Sequence, residues 1–419
     1  MRDLRVLIVC EHASSKFGGE AMLPLNYFLL LSRKLSHVFL LTHSRTRNDL
    51  ATVPGIDLDR VYFIPDTSVQ KLLHTVGRRL PHRIATITTG ALIHLITQCY
   101  QWRMARRIIK EQGVEIVHEP APVSPKCPSM MFALKAPVII GPMNGGMSFP
   151  PPFSAMAGRM ETLLYGVMRF FSRIYNILIP GKLLAAALLV ANQRTKEALP
   201  FPDSTKVREL VENAVFAEKV LPAANVHRDG DSITVLYVGR LVDWKALDIL
   251  IDAVAACRDA KIRLTIVGEG PERSSLERRA TAVAADRVTF TGAVAHDRIA
   301  EYYDQADIFA LPSVRECGGA VVLEAMARGL PVIATNWGGP ADYVTTETGI
   351  LIDPLSRAQM MTMSTRKIKS GTKWIICGII RKPSLSTARR FMSARMERFL
   401  LFPVANRKSA HSCAGDMFT

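Results

Sequence analysis

Short apolar runs and longer amphipathic stretches alternate along this chain. "LRVLIVC" (4–10), "HVFLLTH" (37–43), "RVYFIP" (60–65), "EIVHEP" (115–120), "APVIIGP" (136–142) and "AAALLVAN" (185–192) are short and almost wholly apolar, and turn residues bound them. Runs of that kind are strands buried on both faces. Between them lie segments with apolar residues at helical spacing, such as "LPLNYFLLLSRKL" (23–35) and a long helix over 89–112. Strands that alternate with helices predict a parallel sheet with crossover connections. A second series begins at "ITVLYVGR" (233–240) and continues through "KIRLTIVGEG" (261–270), "RVTFTG" (287–292) and "ADIFALPS" (306–313). The pattern therefore predicts two doubly wound domains, with the boundary falling near 195–230. "PMNGGMSFPPPF" (142–153) is too rich in turn residues to be an element.

The stretch "RECGGAVVLEAMARGLPVIAT" (315–335) is the densest in candidate chemistry. A glycine loop follows the strand at 306–313, a helix over 320–329 closes at Gly329, and "PVIAT" is the next strand. Such a unit points a helix N-terminus out of the sheet, where unpaired N–H groups and the helix dipole attract anions. Glu316 stands in the loop and Glu324 on the helix, with seven residues between them.

The length of 419 residues suits two domains plus an extra segment, and 48% apolar residues suits a globular α/β chain. No uninterrupted apolar run approaches the roughly 18 residues of a spanning helix. The apolar core at the N-terminus is too short for a secretory leader and reads as the first strand. Seven scattered cysteines without paired spacing favour a reducing compartment over a disulfide framework or a zinc site.

Charge is uneven. Residues 1–196 hold 24 Lys+Arg against 11 Asp+Glu, residues 197–355 hold 16 against 24, and residues 356–419 hold 13 against 2. A basic front half beside an acidic middle suggests different partners for the two parts.

From 233 to 355 the chain resembles the donor domain of a family-four, GT-B retaining glycosyltransferase. It carries "VGRLVDWKALDILIDA", "IVGEGPERSSLE", "VTFTGAV" and "ADIFALPSVRECGGAVVLEAMARGLPVIATNWGGPADYV" in family order. The front half is similar more loosely, through "FGGEAMLPLNYFLLLSRKLSHVFLLTH", and the resemblance stops at 355. It implies two Rossmann-like domains facing a cleft: an acceptor-side domain over 1–200, a nucleotide-sugar domain over 201–355 and an atypical basic segment over 356–419.

The residue types suit that chemistry. Arg240 and Lys245 leave the end of a strand five residues apart, and two cations there can neutralise a departing diphosphate. The resemblance gives both that role. It also places Glu324 on ribose hydroxyls, Glu316 on hydroxyls of the transferred sugar, and the amides of Gly318, Gly319 and Ala320 against the diphosphate. Gly18 and Gly19, in the first glycine loop, are further donor-binding candidates. No cofactor and no metal are expected: "DLD" (57–59) and "DGD" (229–231) follow no buried strand and read as loops. "GEG" (268–270) reads as a turn. His118 and Asn144 end strands, and His118 is the kind of histidine that more often serves structure. Two positions depart from the family pattern: Ala246, where relatives usually have glycine, and Phe216, where they often have aspartate.

"GRMETLLYGVMRFFSRIYNILIPGK" (158–182) combines helical apolar spacing with Arg169, Arg173 and Lys182, as a membrane-surface helix does. A core-facing helix shares that spacing. After Ser356 the sequence is basic and lacks clear caps. A frame-shifted or diverged end, a disordered membrane-binding tail and poorly patterned helices all stay open for it.

The expected function is transfer from a nucleotide-diphosphate sugar to a saccharide or lipid-linked saccharide, in cell-surface polysaccharide or glycolipid synthesis. The expected setting is cytoplasmic, peripheral on the inner face of the cell membrane, with contact to anionic lipid and none to nucleic acid. The alternative is a non-catalytic binding subunit of a polysaccharide assembly. A Rossmann oxidoreductase is disfavoured, since neither glycine loop has the three-glycine dinucleotide spacing.

Overall fold

The structure, a computed structural model, describes residues 3–14, 16, 19–79, 85–121, 124–157, 171–210, 232–257, 261–295 and 298–376. Two parallel sheets organise them. The first contains β1 (Val6–Val9), β2 (Val38–His43), β3 (Val61–Ile64), β4 (Ile116–Glu119), β5 (Val138–Met143), β6 (Ala187–Val190) and β7 (Val207–Glu209), in the order β3-β2-β1-β4-β5-β6-β7. The second contains β8 (Ile233–Val238), β9 (Ile262–Val267), β10 (Val288–Gly292), β11 (Ile308–Leu311), β12 (Val332–Thr335) and β13 (Gly349–Ile352), in the order β10-β9-β8-β11-β12-β13. Both orders run outward from a first strand in one direction and then in the other, as in doubly wound Rossmann sheets.

The apolar runs form strands because helices cover both faces. All four residues of β1 are buried, as are all four of β11. Around the first sheet pack α1 (Gly19–Ser32), α2 (Ser68–Gly77) and α3 (Ala91–Gln112). Thr67 starts α2 with a capping box, exchanging hydrogen bonds with Gln70. Gly113 ends α3 in the left-handed conformation at φ 62°, donating its N–H to the Ile109 carbonyl. The second sheet packs against α4 (Leu247–Ala256), α5 (Ala320–Ala327) and α6 (Arg357–Ile376), among other helices.

The structure departs from the sequence reading in several places. β7 hydrogen-bonds to β6, so the first domain runs past the expected limit at residue 200. α6 is a continuous helix at the start of the basic segment, which accords with the poorly patterned helices among the three alternatives left open for it. Met360 and Ile368 are almost fully buried in the second domain's core, so that domain extends well past 355. Residues 377–419 lie outside the described residues. The 142–153 loop ends in a 3-10 turn, Pro151–Met156, and its Phe153 inserts into the core of the second domain. The first domain thus anchors an aromatic side chain in its neighbour.

Candidate functional site

The two sheets meet at the C-terminal edges of their strands. Trp337, just after β12, donates from its indole N–H to the Ser148 carbonyl, after β5, at 3.0 Å. Asp342 accepts from Asn192 Nδ2 and Arg194 Nη2, each at 3.1 Å, and both donors follow β6. The Arg315 guanidinium, after β11, lies 5.3 Å from the centroid of the Phe149 ring. All these residues sit just beyond strand C-termini, so the loops at those ends face each other across one cleft. That edge is where doubly wound sheets bind ligands.

On the second domain the site is built by two loops, after β8 and after β11. Gly239 leaves β8 at φ 154°, and Tyr237 OH donates to the Arg240 carbonyl at 3.0 Å, fixing the start of the first loop. Arg240 is exposed there. A 3-10 turn over Asp243–Lys245 follows, and Ala246 begins α4 in the left-handed region at φ 51°, ψ 37°. That conformation accounts for the glycine usual at this position in the resembling family. The "GEG" segment supports this loop from below: a Cβ on Gly268 would stand 1.9 Å from the Gly239 carbonyl oxygen, and one on Gly270 would stand 2.2 Å from that of Leu241. Its glycines serve close backbone packing, which agrees with reading it as a turn.

The two loops are tied together. Val314 N–H donates to the Trp244 carbonyl at 2.9 Å, and Lys245 Nζ donates to Glu316 Oε2. The lysine and glutamate side chains are only 15% and 13% exposed, so this pair is largely shielded from solvent. Gly319, at φ 68°, then turns the chain into α5, whose first residue is Ala320. Gly338 and Gly339 press on this loop: Gly339 N–H donates to the Glu316 carbonyl at 3.0 Å, and a Cβ on Gly338 would lie 2.0 Å from the same oxygen. Only glycine fits there. Glu324, in the second turn of α5, accepts from Tyr303 OH at 3.0 Å. Burial, with the Glu324 carboxylate beside it, pushes the Tyr303 hydroxyl well above its ordinary pKa. Glu324 is therefore oriented rather than loose in solvent.

The structure thus brings Lys245, Glu316, Gly318, Gly319 and Ala320 into one crevice between β8 and β11, the point where the strand order reverses. Arg240 stands at its β8 rim. Gly18 lies outside the described residues, and Gly19 opens α1 on the opposite domain. Phe216 and the "DGD" segment also lie outside them. Asp57 of "DLD" is a helix-capping residue, accepting from Asp59 N–H at 3.1 Å and pairing with Arg60. Among the described residues no group of three His, Cys, Asp or Glu side chains is placed to hold a metal ion.

His118 is structural. It is buried, its Nε2–H donates to the Gly141 carbonyl at 2.7 Å, and its ring meets Tyr27 edge-on with centroids 4.8 Å apart. Burial pushes its pKa down to about 4. Asn144, beyond β5, is buried as well. Sequence reasoning missed Tyr303, Trp337, Arg194 and Asp342, which orient groups or join the domains. Only "NWGGP", a glycine pair after a strand, signalled any of them.

Comparison with known proteins agrees with this geometry. The family described as Glycosyl transferases group 1 matches residues 232–368. The sulfoquinovosyl transferase SQD2 of Arabidopsis thaliana is 29% identical over 196 residues, covering 46% of this chain and 37% of the relative. The GDP-mannose-dependent alpha-(1-6)-phosphatidylinositol monomannoside mannosyltransferase of Mycobacterium tuberculosis is 40% identical over 138 residues, covering 30% of this chain and 36% of the relative. This chain therefore spans little more than a third of the length of these curated relatives. In fold the likeness covers nearly everything: sucrose-phosphate synthase from Thermosynechococcus elongatus superimposes with a TM-score of 0.61 at 17% identity, over 95% of this chain and 98% of that one. The architecture is GT-B.

Proposed function

We propose that this chain, whose residues 232–368 belong to the glycosyl transferases group 1 family, is a retaining glycosyltransferase. It moves a sugar from a nucleotide-diphosphate sugar to a saccharide or lipid-linked saccharide acceptor, in cell-surface polysaccharide or glycolipid synthesis. The observation that carries the reading is the crevice between β8 and β11. There Arg240, Lys245 and the N-terminus of α5 supply positive potential around one spot, with Glu316 and Glu324 on either side.

The roles follow from charge. The acceptor hydroxyl attacks the anomeric carbon on the face the diphosphate leaves; its C–O bond forms as the bond to phosphate oxygen breaks, and its proton passes to the leaving diphosphate. Negative charge grows on that diphosphate, where Arg240, Lys245 and the amides of Gly318, Gly319 and Ala320 lower the barrier most. Glu316 accepts from hydroxyls of the transferred sugar and Glu324 from those of the ribose. No Asp or Glu nucleophile and no metal takes part, so excess chelator leaves transfer unchanged. The mycobacterial relative's GDP-mannose donor and phosphatidylinositol-linked acceptor illustrate the substrate classes this reading covers.

The reading places the protein peripherally on an anionic membrane, the inner face of the cell membrane. Helical residues 171–178 support this, because they are packed inside out. Ser172 and Asn176 are buried and donate to the Lys126 carbonyl at 2.9 and 3.0 Å, while Phe171, Ile174, Tyr175, Ile177 and Leu178 are exposed beside Arg173. A core-facing helix buries the opposite set. No helix among the described residues is long and apolar enough to cross a membrane. Residues 158–170 lie outside the described residues, and Lys182, at the other end of the stretch, is buried and donates to the Ser124 and Pro125 carbonyls, so it is no surface cation.

The test is a thermal-shift screen against UDP, GDP and ADP, since a bound ligand raises the unfolding temperature by mass action. Turnover of the matching sugar nucleotide with a lipid fraction follows. Stabilisation without turnover of any sugar nucleotide would leave a binding subunit instead.

A further inference from the structure

The turn after β12 makes contacts on two sides. Towards the first domain, the half-buried Trp337 donates its indole N–H to the Ser148 carbonyl at 3.0 Å. A Cβ built on Gly338 would stand 2.8 Å from the Met147 Cε methyl. Towards the loop after β11, the same Cβ would stand 2.0 Å from the Glu316 carbonyl oxygen, so Gly338 is filled in between the two domains with no room on either side. Gly339 N–H donates to the Glu316 carbonyl at 3.0 Å, and a Cβ on Gly339 would meet the Gly318 and Cys317 carbonyl oxygens at 2.3 and 2.5 Å. Pro340 continues the contact, with its ring 3.2 Å from a Cβ built on Gly319. The backbone from Glu316 to Gly319 therefore rests on residues 338–340, and these rest on Met147 and Ser148.

The turn is fixed at both of its ends. Asn336 N–H donates to the Ile352 carbonyl at 2.8 Å, and the Asn336 amide group donates to Asp353 Oδ1 at 2.7 Å. At the other end the short helix Pro340–Tyr343 carries Asp342, which Asn192 and Arg194 of the first domain hold. Groups packed this closely do not compress, so a shift at one face of the turn is passed to the other. Glu316 is thus placed twice: its carboxylate by Lys245, and its backbone by a turn that the first domain presses into position. When the first domain moves away, Trp337 loses its acceptor and Gly338 loses the methionine behind it. The Glu316 loop then keeps its tie to Lys245 but not its support. A sugar bound to the second domain alone is held less firmly, which protects it from water until both domains are in place.

We propose that Trp337 is a positioning residue for Glu316: its bond to the first domain, passed on through Gly338 and Gly339, sets the height of the loop from which the Glu316 carboxylate meets the transferred sugar. The sugar as the partner of Glu316 is taken from the glycosyltransferase reading. The coupling between the domain contact and the loop does not depend on that reading.

Trp337→Phe removes the N–H and keeps an aromatic ring. In the ligand-free full chain, amide exchange at Val314 and Gly339, which donate to the Trp244 and Glu316 carbonyls, should quicken about two- to tenfold, the scale of one net hydrogen bond. Exchange in β9 should stay as in the parent. Asp342→Asn, which removes the charge facing Arg194 and leaves Trp337 in place, should quicken the same two amides. Calorimetric titration with UDP and UDP-glucose, and with GDP and GDP-mannose, gives the sugar's share of binding as a ratio of affinities. Trp337→Phe should lower that ratio about two- to tenfold in the parent and leave it unchanged in the Glu316→Gln chain, because two residues that act through one contact are not additive. A merely structural role would weaken nucleoside diphosphate and sugar nucleotide alike, and its effect would persist without Glu316. Unchanged exchange at Val314 and Gly339 overturns the proposal, and so does exchange that quickens equally in β9. A ratio that does not fall, or that falls equally with and without Glu316, does the same. A chain whose loop loosens as expected but which binds no nucleoside diphosphate or sugar nucleotide keeps the coupling and loses the glycosyltransferase reading.

Discussion

Lys245 and Glu316 are 71 residues apart in sequence and bonded to each other in the crevice of the second domain. One is the proposed partner of a diphosphate, the other of a sugar hydroxyl, and each now holds the other in place. Neither would adopt this position alone, because a largely buried lone charge is costly. The pair keeps the crevice preorganised and its charge balanced. A diphosphate entering it must compete with Glu316 for the ammonium group.

That competition gives changes of opposite sign. Glu316→Gln frees Lys245, so nucleoside-diphosphate affinity should rise by up to about fivefold, the range for a partly exposed ion pair. Transfer should nevertheless fall roughly a hundredfold, because the carboxylate proposed to hold the sugar is gone. Lys245→Ala and Arg240→Ala should lower transfer by about a hundredfold or more and should not tighten nucleotide binding. Glu324→Ala should weaken nucleotide binding about tenfold while changing kcat little. Calorimetric titration with UDP or GDP beside initial rates separates these outcomes. Full activity in the Arg240 and Lys245 variants would remove the assignment.

Ala246 tests the backbone of the same loop. It sits in the left-handed region with its methyl 1% exposed. The conformation costs an alanine about 1–2 kcal/mol. Ala246→Gly relieves that, loses a buried methyl of about 0.8 kcal/mol, and adds unfolded-state entropy of about 0.4–1 kcal/mol. Urea unfolding should therefore place it within about 1 kcal/mol of the parent. Ala253→Gly, equally buried but inside α4, has no strain to relieve and should lose about 1–2 kcal/mol. Equal losses at the two positions would mean that the left-handed geometry is not what shapes this loop.

How much of this was legible beforehand depends on where each signal lives. β1, β8 and β11 read clearly because a strand buried on both faces needs an unbroken apolar run, and turn residues bound each of these. β7 did not, since "VRE" at a sheet edge buries little and carries no pattern. α6 was obscured by its basic residues; Met360 and Ile368 bury into the core, and Met361 and Met363 pack against it. The Lys245–Glu316 pair was visible only through the order of motifs, because spacing says nothing about a contact over 71 residues. The Arg194–Asp342 bridge, 148 residues apart, was invisible for the same reason.

Glu119 gives a pH test of the first domain's core. It is buried at the end of β4, accepts from Gln98 Nε2 at 2.9 Å and from Ser129 Oγ, and burial pushes its pKa up to about 7 against the pull of Ser129, His94, Lys182 and Gln98. Between about pH 4.5 and 7 the folded state therefore holds a proton that the unfolded chain has lost. The contribution of this group falls as pH rises through that window. Glu119→Gln mimics the protonated form, accepting from Gln98 and donating to Ser129. Its stability relative to the parent should rise across pH 4.5 to 7 by up to about 3 kcal/mol and then level off. His118, whose pKa is depressed to about 4, acts in the opposite sense and is common to both proteins, so it cancels in the difference. A difference that stays flat with pH would show that Glu119 is ionised in the fold.

The outward apolar face of residues 171–178 gives a test of the proposed membrane contact. Residues 67–196 carry 16 basic and only 4 acidic side chains, and this helix presents Phe171, Ile174, Ile177 and Leu178 to solvent beside Arg173. Each cation near an anionic bilayer adds about 1 kcal/mol, and salt screens the attraction within about 10 Å. Apolar insertion adds roughly 25 cal/mol per Å² and is insensitive to salt. The two contributions can be separated. Sedimentation with acidic liposomes should be strong at low salt, weakened when Arg169 and Arg173 become glutamate, and reduced at every salt concentration by Ile174→Ser with Leu178→Ser. Residues 377–419 must be removed in a parallel set, since their eight Lys+Arg against two Asp+Glu would bind such liposomes by themselves. The cut belongs after Ile376 and not at 356, because α6 packs into the core of the second domain. If the shortened protein ignores acidic liposomes at low salt, the exposed face serves another protein and the acceptor is a soluble saccharide.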